Sequence, residues 1–406
     1  MPPCEREQSN FLFYPEFMLR LVASFLFLLT LQAAEDPTTA AGLDHFYNLE
    51  YDQAIAAFEA VSQAYPQAPE PHNGIAQSLL YREMLHNGAL ESELVSGNNS
   101  FLRRAKVATS PEIEKRFLAE IGRSTALAQT RLDKNPNDAE ALYALGVANG
   151  IKSNYDFLVR KAWRDALSEA TTARKLHNRV TELEPANYDA RLLQGLHDYI
   201  VGSLPWYYKS MGFLAGFHGD KELGLRTLEE VARKGRSNKG DAQILLCALY
   251  RREGKTRKAL PLLTDVSARY PRNYLFKFEQ AQMYSALGEY KNAIGTLDRV
   301  EELKRDQSKG YATLPLEKIQ FERATIQFWH GDLEAALANF KKVTTTPAEL
   351  DLNTGVLSYM RQGQIYDLTN RHALAIPQYE AAIKFAPQAE AAKESRRYIS
   401  APYRKP

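Results

Sequence analysis

Two consecutive stretches, CALYRREGKTRKALPLLTDVSARYP (Cys247–Pro271) and AQMYSALGEYKNAIGTLDRV (Ala281–Val300), decide the fold. They superpose with a single offset of 34 residues: Cys247 on Ala281, Tyr250 on Tyr284, Ala259 on Ala293, Leu263 on Leu297 and Val266 on Val300. In each, an alanine is followed four residues later by a large apolar side chain and three later by a branched one. Spacings of four and three put these side chains on one helical face. The small residue lets a paired helix approach, and the large one fills the space between neighbouring repeats. Pro271 then ends the helix, because a proline lacks the N–H that the next turn needs. Twelve residues before the repeat alanine lies the small residue of a first helix, with a tyrosine three residues after it. The turns between the two helices read REGKTRKA (Arg252–Ala259) and GEYKNA (Gly288–Ala293).

The same register recurs outward. It reads Ala54, Phe58, Val61 and Pro66 near the N-terminus, then Ala336, Phe340 and Val343 with Pro347, and finally Ala375, Tyr379, Ala382 and Pro387. The matching first-helix positions are Gly42, Ala324 and Gly363, and one further turn reads HGDLEAA (His330–Ala336). The spacing between repeat alanines widens from 34 to 43 and then 39, so the later connections are longer. On these residues the chain resembles the tetratricopeptide-repeat family over 35–80 and 236–390, whose period is about 34. The resemblance implies an all-α, right-handed α-solenoid of helix-turn-helix repeats whose first helices line a concave face. It also implies a binding protein rather than a catalyst.

The middle section, 111–235, loses the period. Pro111 opens a long helical pattern that ends before Asn135-Pro136; DAEALYALGVANG (Asp138–Gly150) and NYDARLLQGLHDYIVG (Asn187–Gly202) have the character of first helices. These stretches predict repeats with lengthened helices. Next, Trp206, Tyr207 and Tyr208 open an aromatic insertion that runs to Phe217. It either plugs the end of a helical hairpin or forms an exposed lip for a lipid, glycan or membrane surface. GFHGDKELGLRTLEE (Gly216–Glu230) resembles a short stretch of larger tetratricopeptide proteins of the lipid-droplet and mitochondrial-surface type; so short a match transfers no function.

Residues 1–34 read as an address. From Met18, a positive charge at Arg20 precedes an apolar run, Leu21–Leu31, and then the small residues Ala33 and Ala34. That is the order of a secretory signal, with translation expected to start at Met18. The run is about half the ~20 residues a spanning helix needs; an uncleaved membrane anchor is the alternative. The expected location is periplasmic or secreted. The expected organisation is signal peptide 1–34, a first repeat with a polar loop 35–110, extended helical repeats 111–235, a repeat array 236–390 and a tail 391–406.

No catalytic motif emerges. Gly235 and Gly240 have P-loop spacing, but Asp241-Ala242 stands where Lys and Ser or Thr are required. There is no HExxH or GxSxG, the eight histidines are scattered, and two cysteines cannot build a cysteine-rich zinc site. With 51 Lys and Arg against 49 Asp and Glu, the chain lacks the basic excess of a nucleic-acid binder. The sequence predicts no enzyme, no cofactor, no metal and no nucleic-acid partner; a membrane contact is compatible but not required. It predicts a protein-interaction scaffold of the cell envelope.

Taking the register from the repeat alanines, Ile244, Arg251, Phe278, Gln282, Phe321, Thr325, Phe328, Met360, Gln364 and Asp367 are expected to face inward. The Lys and Asn with which chaperone-binding tetratricopeptide domains clamp a carboxylate are missing from the matching positions. The phenylalanines and Met360 suggest an apolar or extended partner segment, oriented by Gln282, Gln364 and Arg251. The same side chains equally suit packing between repeats.

Overall fold

The computed structural model describes residues 37–90, 109–203, 219–347 and 350–405. Among them are seventeen α-helices and no strand. The chain divides into two compact units between Tyr270 and Pro271. The signal-like segment and Trp206, Tyr207 and Tyr208 lie outside the described residues.

The N-terminal unit holds α1 (Pro37–Tyr47), α2 (Tyr51–Ala64), α3 (Glu70–His86), α4 (Pro111–Lys134), α5 (Ala139–Tyr155), α6 (Trp163–Leu183), α7 (Leu192–Gly202), α8 (Lys221–Lys234), α9 (Lys239–Arg252) and α10 (Thr256–Arg269). Successive helices pack as antiparallel pairs. Helices α4 and α6 are long, with 24 and 21 residues, whereas α7 has 11. Helix α4 starts where Ser110 caps the Ile113 amide (3.3 Å), with Pro111 in the first turn, and it stops at Asn135. Helix α5 runs into a π-helical turn, Asp156–Arg160, held by Lys152 and Arg160 on the buried Asp156 carboxylate (2.9 and 2.8 Å).

The C-terminal unit holds α11 (Tyr274–Ala286), α12 (Tyr290–Arg305), α13 (Leu316–Trp329), α14 (Leu333–Val343), α15 (Leu352–Leu368), α16 (His372–Phe385) and α17 (Glu390–Ser400). The wide spacing between Ala293 and Ala336 comes from a packed connection between α12 and α13. In it Tyr311 is buried and donates to the Pro271 carbonyl at 2.9 Å.

Each unit is a solenoid of helix-turn-helix pairs, and the repeat register is its core. Ala54, Phe58, Ala259, Val266, Ala293, Leu297, Val300, Ala336, Phe340, Val343, Ala375, Tyr379 and Ala382 are fully buried. Burying one of the large side chains contributes on the order of 1.5–3 kcal/mol. The small first-helix residues are required by their large neighbours. A Cβ on Gly363 would lie 2.5 Å from the Tyr379 ring, and one on Gly42 would lie 2.6 Å from Phe58.

The turn between the two helices has its own signature. Five residues before the repeat alanine, the backbone is left-handed in all five regular repeats: Leu49 (φ 64°), Gly254 (67°), Gly288 (77°), Gly331 (84°) and Asn370 (58°). Here the chain reverses from the first helix to the second. Glycine takes this conformation freely and Asn with little strain, while leucine is strained by its Cβ.

Candidate functional site

After α17 the chain leaves helical geometry at Ala401 (φ −133°, ψ 96°) and residues 402–405 carry no regular structure. This segment turns back over the C-terminal ends of α13 and α15. The Tyr403 amide donates to Asp367 Oδ2 at 2.7 Å, and Lys405 Nζ donates to the Trp329 carbonyl at 3.1 Å. Trp329 is the last residue of α13, so Lys405 meets a helix C-terminus, where unpaired carbonyls favour a cation. Lys405 Nζ also lies over the Phe328 and Trp329 rings, 5.9 and 5.8 Å from their centroids.

Asp367 is the node beneath this segment. It is buried, and besides the Tyr403 amide it accepts the Tyr379 hydroxyl on Oδ2 (2.7 Å) and faces His372 Nδ1 through Oδ1 (2.6 Å). The Asp367 bond raises the His372 imidazole above its ordinary value, and the Ile399 carbonyl near Nε2 (3.2 Å) acts in the same direction. Burial, then the bond to Asp367, pushes the Tyr379 hydroxyl well up, so it stays a donor. The Tyr398 ring lies between Tyr379 (5.5 Å) and Tyr403 (5.3 Å). On the other side Arg361 stacks over Phe328 (4.8 Å) and Trp329 (4.9 Å) and donates to Gln364 Oε1 at 2.7 Å. The result is a cradle with a buried carboxylate for a backbone amide and two aromatic faces with a helix end for a cation.

Of the residues expected to face inward, Phe328, Gln364 and Asp367 come together in this cradle. Phe328 and Gln364 are almost fully buried beneath it, and Met360 packs into the same apolar cluster. Phe321 is half-buried against that cluster, edge-on to Phe340 (6.1 Å). Phe278 is buried, 5.5 Å from Tyr274, and Gln282 donates to Glu322 Oε2 at 2.6 Å. Arg251 is half-buried on α9 of the other unit. Phe278, Phe328 and Met360 therefore spend their surface on packing. Arg361, Trp329, His372, Tyr398, Tyr403 and Lys405 were missing from the sequence-based set. The one available signal was PYRK (Pro402–Lys405), an aromatic and two cations after the last helix.

A second polar cluster lies inside the N-terminal unit. Asp241 is completely buried and accepts the Tyr47 hydroxyl, while Tyr47 stacks on Tyr270 (4.6 Å). Asn238 Nδ2 donates to the Tyr143 hydroxyl and the Asp189 carbonyl (both 2.9 Å). Burial, and then the nearby Asp189, pushes the Asp241 carboxyl well above the usual range. These groups tie α1, α5 and α9 together and are closed to solvent. Cys247 is a buried thiol outside any disulfide whose Sγ contacts the Ala259 carbonyl at 3.4 Å, in keeping with its small-residue position. Among the described residues no three His, Cys, Asp or Glu side chains converge on a metal-sized site, and no helix is long and apolar enough to cross a membrane.

Helical pairs near both ends of the described chain are similar to tetratricopeptide repeats. Models of that repeat match residues 39–90 and 356–388, and the model described as Iml2/Tetratricopeptide repeat protein 39 matches 209–311. The last of these contains the whole of the short stretch Gly216–Glu230. No curated protein matches the chain. Among solved structures, the human IFIT1 dimer with m7Gppp-AAAA is 16% identical, over 94% of this chain and 83% of that one, with a TM-score of 0.45. Yeast Tom70 is 12% identical, over 91% and 89%, with a TM-score of 0.40. Values this low bear on no ligand or activity.

Proposed function

We propose that this chain is a non-catalytic scaffold that holds a segment of another protein on the inner face of its C-terminal unit, at the ends of α13 and α15. The observation that carries the reading is the seated 401–405 segment: a non-helical stretch of chain held by a backbone-amide acceptor and an aromatic cation cradle. Such a combination suits an extended peptide, whose main chain supplies affinity while pockets supply choice. A location in the cell envelope or outside the cell belongs to the same reading, and its support is the signal-like run Leu21–Leu31 with Ala33 and Ala34.

The test is affinity purification of the full chain beside a Trp329→Ala variant whose thermal unfolding is unchanged. A partner should be retained by the parent and lost at least tenfold with Trp329→Ala, since a buried interface aromatic is commonly worth 2 kcal/mol or more, roughly thirtyfold. A partner set that Trp329→Ala leaves unaltered places binding elsewhere and overturns the assignment of this face.

A further inference from the structure

We propose that residues 401–405 are an intramolecular occupant of this docking face, and that the partner segment it excludes carries the same signature, an aromatic residue followed two positions later by a Lys or Arg. This rests on the scaffold reading above and adds its ligand class and its regulation.

The argument starts from what each tail residue touches. Tyr403 gives its amide to Asp367 and its ring to Tyr398, and Lys405 gives its ammonium to the Trp329 carbonyl and to two ring faces. Arg404, between them, is exposed. Two residues with built receptors thus flank one without, and this alternation is how an extended peptide presents side chains to a surface. The amide acceptor is indifferent to side-chain identity, so specificity resides in the aromatic and the cation.

The hold is also poised for exchange. Arg361 lies over the same two rings as Lys405, so two cations draw on one aromatic pair. The rings therefore keep one cation partner when the tail leaves, which lowers the cost of its departure. A short tether at Ser400 raises the local tail concentration to about the millimolar range. A partner segment therefore displaces the tail only when the ratio of its concentration to its dissociation constant exceeds the same ratio for the tethered tail, or when it is held nearby by a second contact.

The experiment uses a fluorescein-labelled peptide, Ser-Ala-Pro-Tyr-Arg-Lys, and three full-length chains: parent, Tyr403→Ala/Lys405→Ala and Lys405→Ala alone. The peptide should bind the double variant at least tenfold more tightly than the parent. Lys405→Ala, which removes the cation contacts but keeps the Tyr403 ring, should show a smaller gain of the same sign and controls for folding. Peptides with Tyr or Lys replaced by Ala should bind at least tenfold more weakly. Equal affinity for parent and variants, or absence of binding up to millimolar peptide, overturns the proposal. Sedimentation supplies the remaining outcome: a parent dimer that becomes monomeric in the double variant assigns the face to a second copy's tail and overturns the partner signature. A partner lost with Trp329→Ala, together with a peptide that fails, leaves the scaffold reading standing and removes only this one.

Discussion

At the scale of single residues, the most consequential group is Asp241, a carboxyl in complete burial beside Tyr47 and within range of Asp189. Its folded-state value is raised above its unfolded value of about 3.9. A raised acid binds more protons folded than unfolded, so stability is highest below the unfolded value and falls as pH rises through the interval between the two. The slope is about 1.4 kcal/mol per pH unit. Asp241→Asn keeps an acceptor for the Tyr47 hydroxyl and cannot ionise. The variant should match the parent in melting temperature near pH 3.5 and exceed it at pH 7. A variant less stable at both pH values would show that the carboxylate itself is needed. The Asp367 side chain is also buried, and the Tyr379 hydroxyl, the Tyr403 amide and His372 Nδ1 meet its two oxygens.

At the scale of the element, the recurring unit is a helical hairpin with one left-handed residue. Gly288 isolates the cost of that residue. A Cβ built there meets nothing within 4 Å, so Gly288→Ala tests the backbone alone. The expected loss is about 1 kcal/mol, read as a lower urea midpoint with an unchanged slope. Leu49 holds the same conformation and already carries that strain. This hairpin was legible in the sequence because everything that defines it is local. Ala259, Leu263 and Val266 share a face by spacing alone, and Gly363 is small because Tyr379, sixteen residues on, is large. The left-handed turn at Leu49 was not legible, since leucine does not announce it. Nor could spacing decide between a displayed and a packed Phe328. Both place the ring on the inner face, and only the return of residues 401–405 settles what covers it.

At the scale of the whole molecule, length and charge set the limits. With 406 residues and a formal net charge of +2, the chain has neither a single core nor a long-range field to steer a polyanion. The division at Tyr270-Pro271 was hidden from the sequence, because the repeat register runs through it unchanged, from Ala259 to Ala293. If the N-terminal run is a cleaved signal, mass spectrometry of protein secreted by an expressing cell will find a first residue at Ala34 or Glu35; a retained Met18 would instead mark an anchor. The cradle was the least legible part, because it joins α13, α15, α16, α17 and residues 401–405, which have no periodicity of their own. Its position beside Trp329 has a practical result. The chain has three tryptophans, and replacing Trp163 and Trp206 by phenylalanine leaves one indole, under the Lys405 ammonium. Departure of the tail would remove a nearby positive charge and admit water to that ring. The emission spectrum of this single fluorophore would then report, without any label, whether the cradle is open or closed.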